Sequence, residues 1–160
     1  MRVAERDDLH WLALQLFRRL GTLELAAVGA NRLSLWGYEV LTEVVGGPAR
    51  SQAEIGIALA LDKTKIMRIV DELEDAGHLR REQAAADRRR RTLTITATGR
   101  AAWSATRAAL AAIEADLYAR LPADLRAPTA AGLRHLVAAM PAPTGRPPAS
   151  PAPDGPADRP

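Results

Sequence analysis

Residues 87–91 read DRRRR, one aspartate followed by four consecutive arginines. Guanidinium groups at this density repel one another, so the run either stays hydrated or meets a polyanion. Its chemistry is recognition rather than bond making. Arginine presents a rigid fork of N–H donors that matches phosphate oxygens two at a time. Residues Arg80–Arg91 hold six arginines against one glutamate and one aspartate, a local net charge of +4. The whole 160-residue chain carries only +3, so everything outside that segment sums to −1. One short basic segment on a near-neutral chain is the footprint expected for a nucleic-acid partner. Further upstream, Thr64, Lys65 and Arg68 are spaced to share the outer face of one helix.

Other chemistries have no residues to carry them. The chain contains no cysteine, which excludes disulfides, thiolate nucleophiles, thiolate metal sites and cysteine redox switches. His10, His78 and His135 lie far apart and show no metal-ligand spacing. There is no nucleophile–base arrangement and no phosphate-binding glycine loop, so no catalytic residue, metal or cofactor is assigned and the chain is not read as an enzyme. The N-terminal MRVAERDDLHWLALQ places acidic residues ahead of a short apolar pattern, unlike a signal peptide. No apolar run approaches the roughly 18 residues of a membrane span. The expectation is a cytoplasmic protein without membrane association.

The elements that must position the basic residues follow from periodicity. Apolar residues make up 48% of the chain and aromatics only 4%, with alanine and leucine abundant, which favours helices. A first helix is expected from residue 7 to about 29, with Leu9, Leu12, Leu16, Leu20, Leu23 and Ala27 on one stripe and His10, Leu14 and Phe17 on the next. Ser34 can cap a second helix, which GGP at 46–48 stops. SQAE at 51–54 is a capping box that opens a short helix to residue 59, and Asp62 can cap the next, over 62–76. Ile66, Ile69, Val70 and Leu73 form its inner face.

After Gly77 the period changes to two. HLRRE reads as a strand, QAAAD as a loop and RTLTITA as a second strand, which puts the arginine run at the tip of a hairpin and the start of its second strand. A long alanine-rich helix is expected from Thr98 or Gly99 to about Leu121, carrying Trp103, Leu110, Ile113 and Leu117 among its alanines. A last helix contains Leu133, Leu136, Val137 and Met140, and either starts near Pro128 or kinks there. Residues 141–160 hold eight of the eleven prolines and no large apolar side chain, so this tail is expected to be disordered.

The fold class is therefore mainly α with a small β-hairpin wing. Helix, turn, helix, strand, basic loop and strand form, in that order, a winged helix-turn-helix lobe. A helix fits the DNA major groove, and a basic hairpin can reach phosphates or a narrow minor groove, where the negative potential is deepest. Each piece alone has a plainer reading: a packed helix pair, a solvated charge run, ordinary exposed lysines. Asp71, Glu72, Glu74 and Asp75 on the same helix would repel phosphates. They support the alternative of a winged-helix protein–protein interaction module without DNA binding.

LSLWGYEVL, SQAEIGIALALDKTKIMRIVDELEDAGHLRR and DRRRRTLTITATG together resemble the MarR family of bacterial regulators, over roughly residues 7–140. The family's wing reads Asp-Arg-Arg, two variable residues, an alternating strand ending in Leu-Thr or similar, two more residues and glycine. Asp87, Arg88, Arg89, Ile95, Thr96 and Gly99 stand at those positions. Two departures are visible: Ala60 replaces the usual glycine of the turn, and Gly56 falls inside the first helix of the pair.

The resemblance implies a homodimer. Residues 1–33 and 98–140 would form a helical dimerisation lobe and residues 34–97 the winged DNA-binding lobe, on a pseudo-palindromic operator of double-stranded DNA. It implies that Thr64, Lys65 and Arg68 enter the major groove, that Lys63 and Ser51 meet phosphates, and that Arg88 approaches the minor groove. Asp87 would pair with Arg89 to shape the wing, while Arg90 and Arg91 add positive charge. It further implies a repressor released by a small aromatic or phenolic ligand held between the lobes. His10, Trp11, Phe17, Trp36 and Tyr38 are the candidate ligand-binding residues, by stacking and charge.

Overall fold

A computed structural model of the chain describes residues 8–84 and 87–141, with the backbone alone at Ala84 and at 87–90. The elements are α1 (Leu9–Gly29), α2 (Leu35–Gly46), α3 (Gln52–Ala58), α4 (Lys63–Asp75), β1 (Leu79–Ala84), β2 (Asp87–Ile95), α5 (Ala97–Ala119) and α6 (Ala123–Ala139). The chain is mainly helical with one antiparallel two-stranded wing. The expected proline-rich tail lies outside the described residues, apart from Pro141. No helix among the described residues is long and apolar enough to cross a membrane.

Helix starts follow local capping chemistry. Ser34 accepts from the amide of Gly37 at 3.0 Å, and Asp62 from that of Lys65 at 2.9 Å. The capping box closes in both directions: Glu54 N–H donates to Ser51 Oγ at 3.3 Å, and Ser51 N–H donates to Glu54 Oε2 at 2.7 Å. At the end of α4, Gly77 takes φ 73° while His78 N–H reaches back to the Leu73 carbonyl at 2.8 Å. That six-to-one bond is the Schellman ending that glycine permits.

Three boundaries differ from expectation. The hairpin strands run further, to Ala84 on one side and from Asp87 on the other, so the arginine run lies within β2 rather than partly in a loop. Helix α5 begins at Ala97 because Thr96 supplies the cap, accepting from Gly99 N–H at 2.9 Å. Helix α6 begins at Ala123 and contains Pro128 in its interior. Proline there lacks the N–H that would bond to the Asp124 carbonyl, and its ring crowds that carbonyl, yet the 17-residue helix continues through it.

The core sits where α2, α3, α4 and the wing meet. Val40, Leu41, Ile55, Ile69, Val70 and Leu79 are its most enclosed side chains. Val28 joins from the end of α1 and Ala102 from the start of α5. Strand β2 is pinned to the loop before α3 by Leu93 N–H donating to the Arg50 carbonyl at 3.0 Å. Trp103 packs against its own chain's core, and its indole N–H donates to Thr42 Oγ1 at 3.0 Å. A tryptophan that is partly buried needs a partner for its N–H, and Thr42 on α2 supplies one.

The two departures at small residues have physical reasons. Ala60 holds φ 53°, the left-handed conformation a glycine would adopt freely. A Cβ on Gly56 would meet Ile66 Cγ2 at 3.2 Å, so the missing side chain lets α3 approach α4. Opposite outcomes are expected from the two swaps. Ala60→Gly should raise stability by about 0.5–1 kcal/mol through relief of backbone strain. Gly56→Ala should lower it by about 1 kcal/mol or more by overpacking, against its helix propensity. Denaturant midpoints at constant m-value decide both.

Carboxylates crowd the junction of α1, α2 and α5. Burial, then the charges of Glu24 and Glu43, push the Glu39 pKa up. Burial, then Glu114, does the same to Glu24. A carboxyl raised in the folded state stabilises fully below its unfolded pKa, and that contribution is lost as pH rises through the folded value. Lowering the pH from neutral towards about 5 should therefore relieve the junction. Glu39→Gln should raise the melting temperature at pH 7, by the equivalent of about 0.2–0.5 kcal/mol for removing a like-charge pair one turn apart. The gain should vanish near pH 4, close to the intrinsic value of about 4.3. An equal gain at both pH values would remove charge as the cause.

Candidate nucleic-acid interface

The exposed start of α4 gathers Lys63, Thr64, Lys65 and Arg68, with Asp62, around one shallow depression. The apolar stripe of Ile66, Ile69, Val70 and Leu73 is buried, which fixes the helix rotation and turns these side chains outward. A helix start that presents N–H groups and cations to solvent suits an anionic partner.

Each cation has its own setting. The Lys65 ammonium lies 4.0 Å from the centroid of the Trp36 ring, a cation–π contact between α4 and the first turn of α2. Arg68 Nη1 donates to Glu72 Oε1 at 3.0 Å, one turn along the same exposed face. Ser51, expected at a phosphate, opens α3 with its hydroxyl engaged in the capping box, where Oγ donates to Glu54 Oε2 at 2.7 Å. Arg91 is exposed on β2 opposite Gln83. The backbone of 87–90 runs in β2 towards the wing tip. The side chains of Arg88, Arg89 and Arg90, and the expected pairing of Asp87 with Arg89, lie outside the described residues.

The acidic residues of α4 do not form a bare negative face. Besides Glu72, which holds Arg68, Asp71 and Glu74 are engaged by Arg81 of β1. Arg81 Nη2 donates to Asp71 Oδ1 at 2.5 Å, Nη1 donates to Glu74 Oε2, and the backbone N–H donates to Glu74 Oε1 at 3.2 Å. Nη2 also donates to Gln52 Oε1 of α3 at 3.1 Å. Burial disfavours the Arg81 charge, but the Asp71 hydrogen bond and the Glu74 charge more than offset this and hold its pKa above the ordinary arginine range. Along β1, Leu79 and Arg81 share the face towards α4, while Arg80 faces out and pairs with Glu82 at 2.6 Å. Alternation along the strand carries that signal in the sequence, but the acidic partners on α4 are not adjacent in the chain.

The candidate ligand residues are dispersed. His10 and Trp11 lie in the first turn of α1, Phe17 is exposed two turns later, Trp36 is against Lys65, and Tyr38 packs on the core. A separate apolar cavity of about 480 Å³ lies between α1, α5 and α6, lined by Leu16, Leu20, Leu117, Leu121 and Leu133 with Glu114, Tyr118 and Thr129. None of the expected aromatic residues lines it. Among the described residues no group of three or more histidine, aspartate or glutamate side chains is arranged to hold a metal ion.

The sequence model of the MarR family matches residues 33–90, the stretch that carries α2, both helices of the pair and the wing up to its arginines. A crystal structure of a Mycobacterium tuberculosis MarR family protein superposes with a TM-score of 0.67 at 26% identity, covering 86% of this chain and 99% of that one. Residues 33–90 thus carry the sequence pattern of the MarR family. Another MarR-like fold, the transcriptional repressor CouR bound to a 23-mer DNA duplex, superposes with a TM-score of 0.75 at 25% identity, covering 86% of this chain and 98% of that one. CouR from Rhodococcus jostii RHA1 bound to p-coumaroyl-CoA superposes at 0.70 with 21% identity, over 84% and 94% of the two chains. A putative transcriptional regulatory protein for the hcr operon of Thauera aromatica is 31% identical over 84 residues, 52% of this chain and 51% of that protein. The chain thus aligns with about half the length of the curated relatives it matches.

The cation–π contact predicts a measurable coupling. A double-mutant cycle of Trp36→Ala with Lys65→Met should give about 0.5–1 kcal/mol in equilibrium unfolding, with Trp36→Phe retaining part of it. Additive effects would mean that the two side chains do not interact.

Proposed function

We propose that the protein is a sequence-specific DNA-binding transcriptional regulator, a homodimeric repressor that a small aromatic or phenolic molecule releases from a pseudo-palindromic operator. The observation that carries the DNA reading is the start of α4. Lys63, Thr64, Lys65 and Arg68 are presented together there, while Asp71 and Glu74 of the same helix are held by Arg81. In this reading Thr64, Lys65 and Arg68 meet base edges, Lys63 and Ser51 lie near the backbone, and Arg88, Arg89, Arg90 and Arg91 of the wing meet phosphates or the minor groove. The acidic residues that favoured a protein-binding module lose much of their force as support for it, because three of the four, Asp71, Glu72 and Glu74, have their charges paired within the lobe.

Two further parts of the proposal have separate support. Helix α1 buries only Val28 and α6 buries no residue, while Leu9, Leu12, Phe17, Leu136, Val137 and Met140 stay exposed. Apolar faces of this extent favour pairing with a second copy through the segments 1–33 and 98–140. The ligand part rests on likeness, since CouR binds p-coumaroyl-CoA. In this reading the ligand draws its contacts from among His10, Trp11 and Phe17 of α1 and Trp36 and Tyr38 of α2, which a single chain leaves dispersed.

Selection of binding sites from random duplex DNA tests the reading. A pseudo-palindrome with half-sites about one helical turn apart is expected. On the selected duplex, Arg68→Ala should cost about 1–3 kcal/mol and relax preference at one position. Arg90→Ala should weaken all duplexes alike and reduce the salt slope by about one. No enrichment by a folded, dimeric protein would reject DNA recognition.

A further inference from the structure

The side chains of α4 that face DNA in the proposed reading are useful only if the helix is held at a fixed tilt. Its buried face consists of Ile66, Ile69, Val70 and Leu73, and apolar contacts of this kind are non-directional. Directional contacts are needed to set tilt and register. At the start of the helix they are the Asp62 cap and the contact of Lys65 with Trp36. At its other half they converge on one residue.

Arg81 is that residue. Its guanidinium meets Asp71 and Glu74, one turn apart on α4, and Gln52 at the start of α3. Its backbone amide meets Glu74 a second time. Three elements therefore share one planar group, and its side chain is only 21% exposed. A planar donor bound on several edges fixes orientation as well as distance, which a lysine could not reproduce.

We infer that Arg81 is a positioning residue for DNA recognition: it locks α4 to the wing strand and to α3 and so sets the angle at which Lys65 and Arg68 are presented. This rests on the DNA-binding reading above. It assigns a role to Asp71 and Glu74 as well, since without them Arg81 has nothing on α4 to hold. It also ties wing and helix into one rigid reader, so that the arginines of β2 and the cations of α4 keep a fixed separation.

Charge and position are separable by sign. Asp71→Asn with Glu74→Gln removes two negative charges from the helix and dismantles the clamp. If the clamp only neutralised acid, the double variant would bind every duplex more tightly by the same factor. If the clamp positions α4, affinity for an unselected duplex rises while the ratio of selected to unselected affinity falls by about tenfold. Arg81→Gln should lower the same ratio while weakening both duplexes. Amide hydrogen exchange on the full chain reads the clamp without DNA: in both variants the amides of 69–76 should exchange faster while those of α5 stay unchanged. The measurement is fluorescence anisotropy on the duplex selected by the wild-type chain and on a scrambled duplex of equal length. An unchanged ratio in the double variant overturns the proposal, as does unchanged exchange in α4. If the wild-type chain selects no duplex, the DNA reading fails separately, and with it the role in recognition. The exchange experiment then still decides whether the clamp holds the helix.

Discussion

The winged lobe depends on one backbone approach at the base of the wing. A Cβ on Gly99 would lie 1.8 Å from the carbonyl oxygen of His78, closer than any atom can stand. Only glycine lets the first turn of α5 rest against the end of α4 and the root of β1. Thr96 completes the joint. Its hydroxyl donates to the Gly77 carbonyl at 2.6 Å and accepts from Gly99 N–H at 2.9 Å, while its backbone N–H donates to the His78 carbonyl at 3.0 Å. The turn that ends α4, the pairing of the wing and the cap of α5 are thus settled at one place.

From that joint the lobe is tightened by contacts of two kinds. Apolar packing of α2, α3 and α4 supplies most of the burial and little direction. Polar contacts supply direction at the edges: Arg81 to α4 and α3, Glu43 to Arg50 at 2.7 Å, and Thr94 to Glu82 across the hairpin at 2.7 Å. The Thr94 hydrogen bond, followed by the Arg80 interactions, also holds the Glu82 carboxyl below its usual range. Such exposed pairs add little stability. Their contribution is geometric.

Much of this was legible in the sequence because its causes are local. Ser34, the Ser51–Glu54 box, Asp62 and Gly77 announce their helix ends through groups three or four residues away. The inner stripe of α4 reads directly as period 3.6. The alanines at 84–86 carry no strand signal, so periodicity ends the hairpin early, whereas pairing to β1 carries the second strand back to Asp87. Local chemistry allows either a helix start near Pro128 or a helix that contains it, and α6 takes the second course, with Pro128 in its interior. The partners of Arg81, Lys65 and Trp103 are set by tertiary placement, and no spacing rule reaches from Gln52 to Arg81 or from Thr42 to Trp103.

The charge order along α4 has an electrostatic consequence. A helix carries partial positive charge at its N-terminus and partial negative charge at its C-terminus. Helix α4 places Lys63 and Lys65 at its positive end and Asp71, Glu72, Glu74 and Asp75 at its negative end, the reverse of what the dipole favours. At the negative end Arg81 supplies the missing positive charge from outside the helix. At the positive end Asp62 is the acidic residue that caps the helix. A polyanion docking there would relieve the mismatch. The helix that recognises such a partner would therefore itself be steadied by the binding, so that occupancy and the local order of α4 rise together.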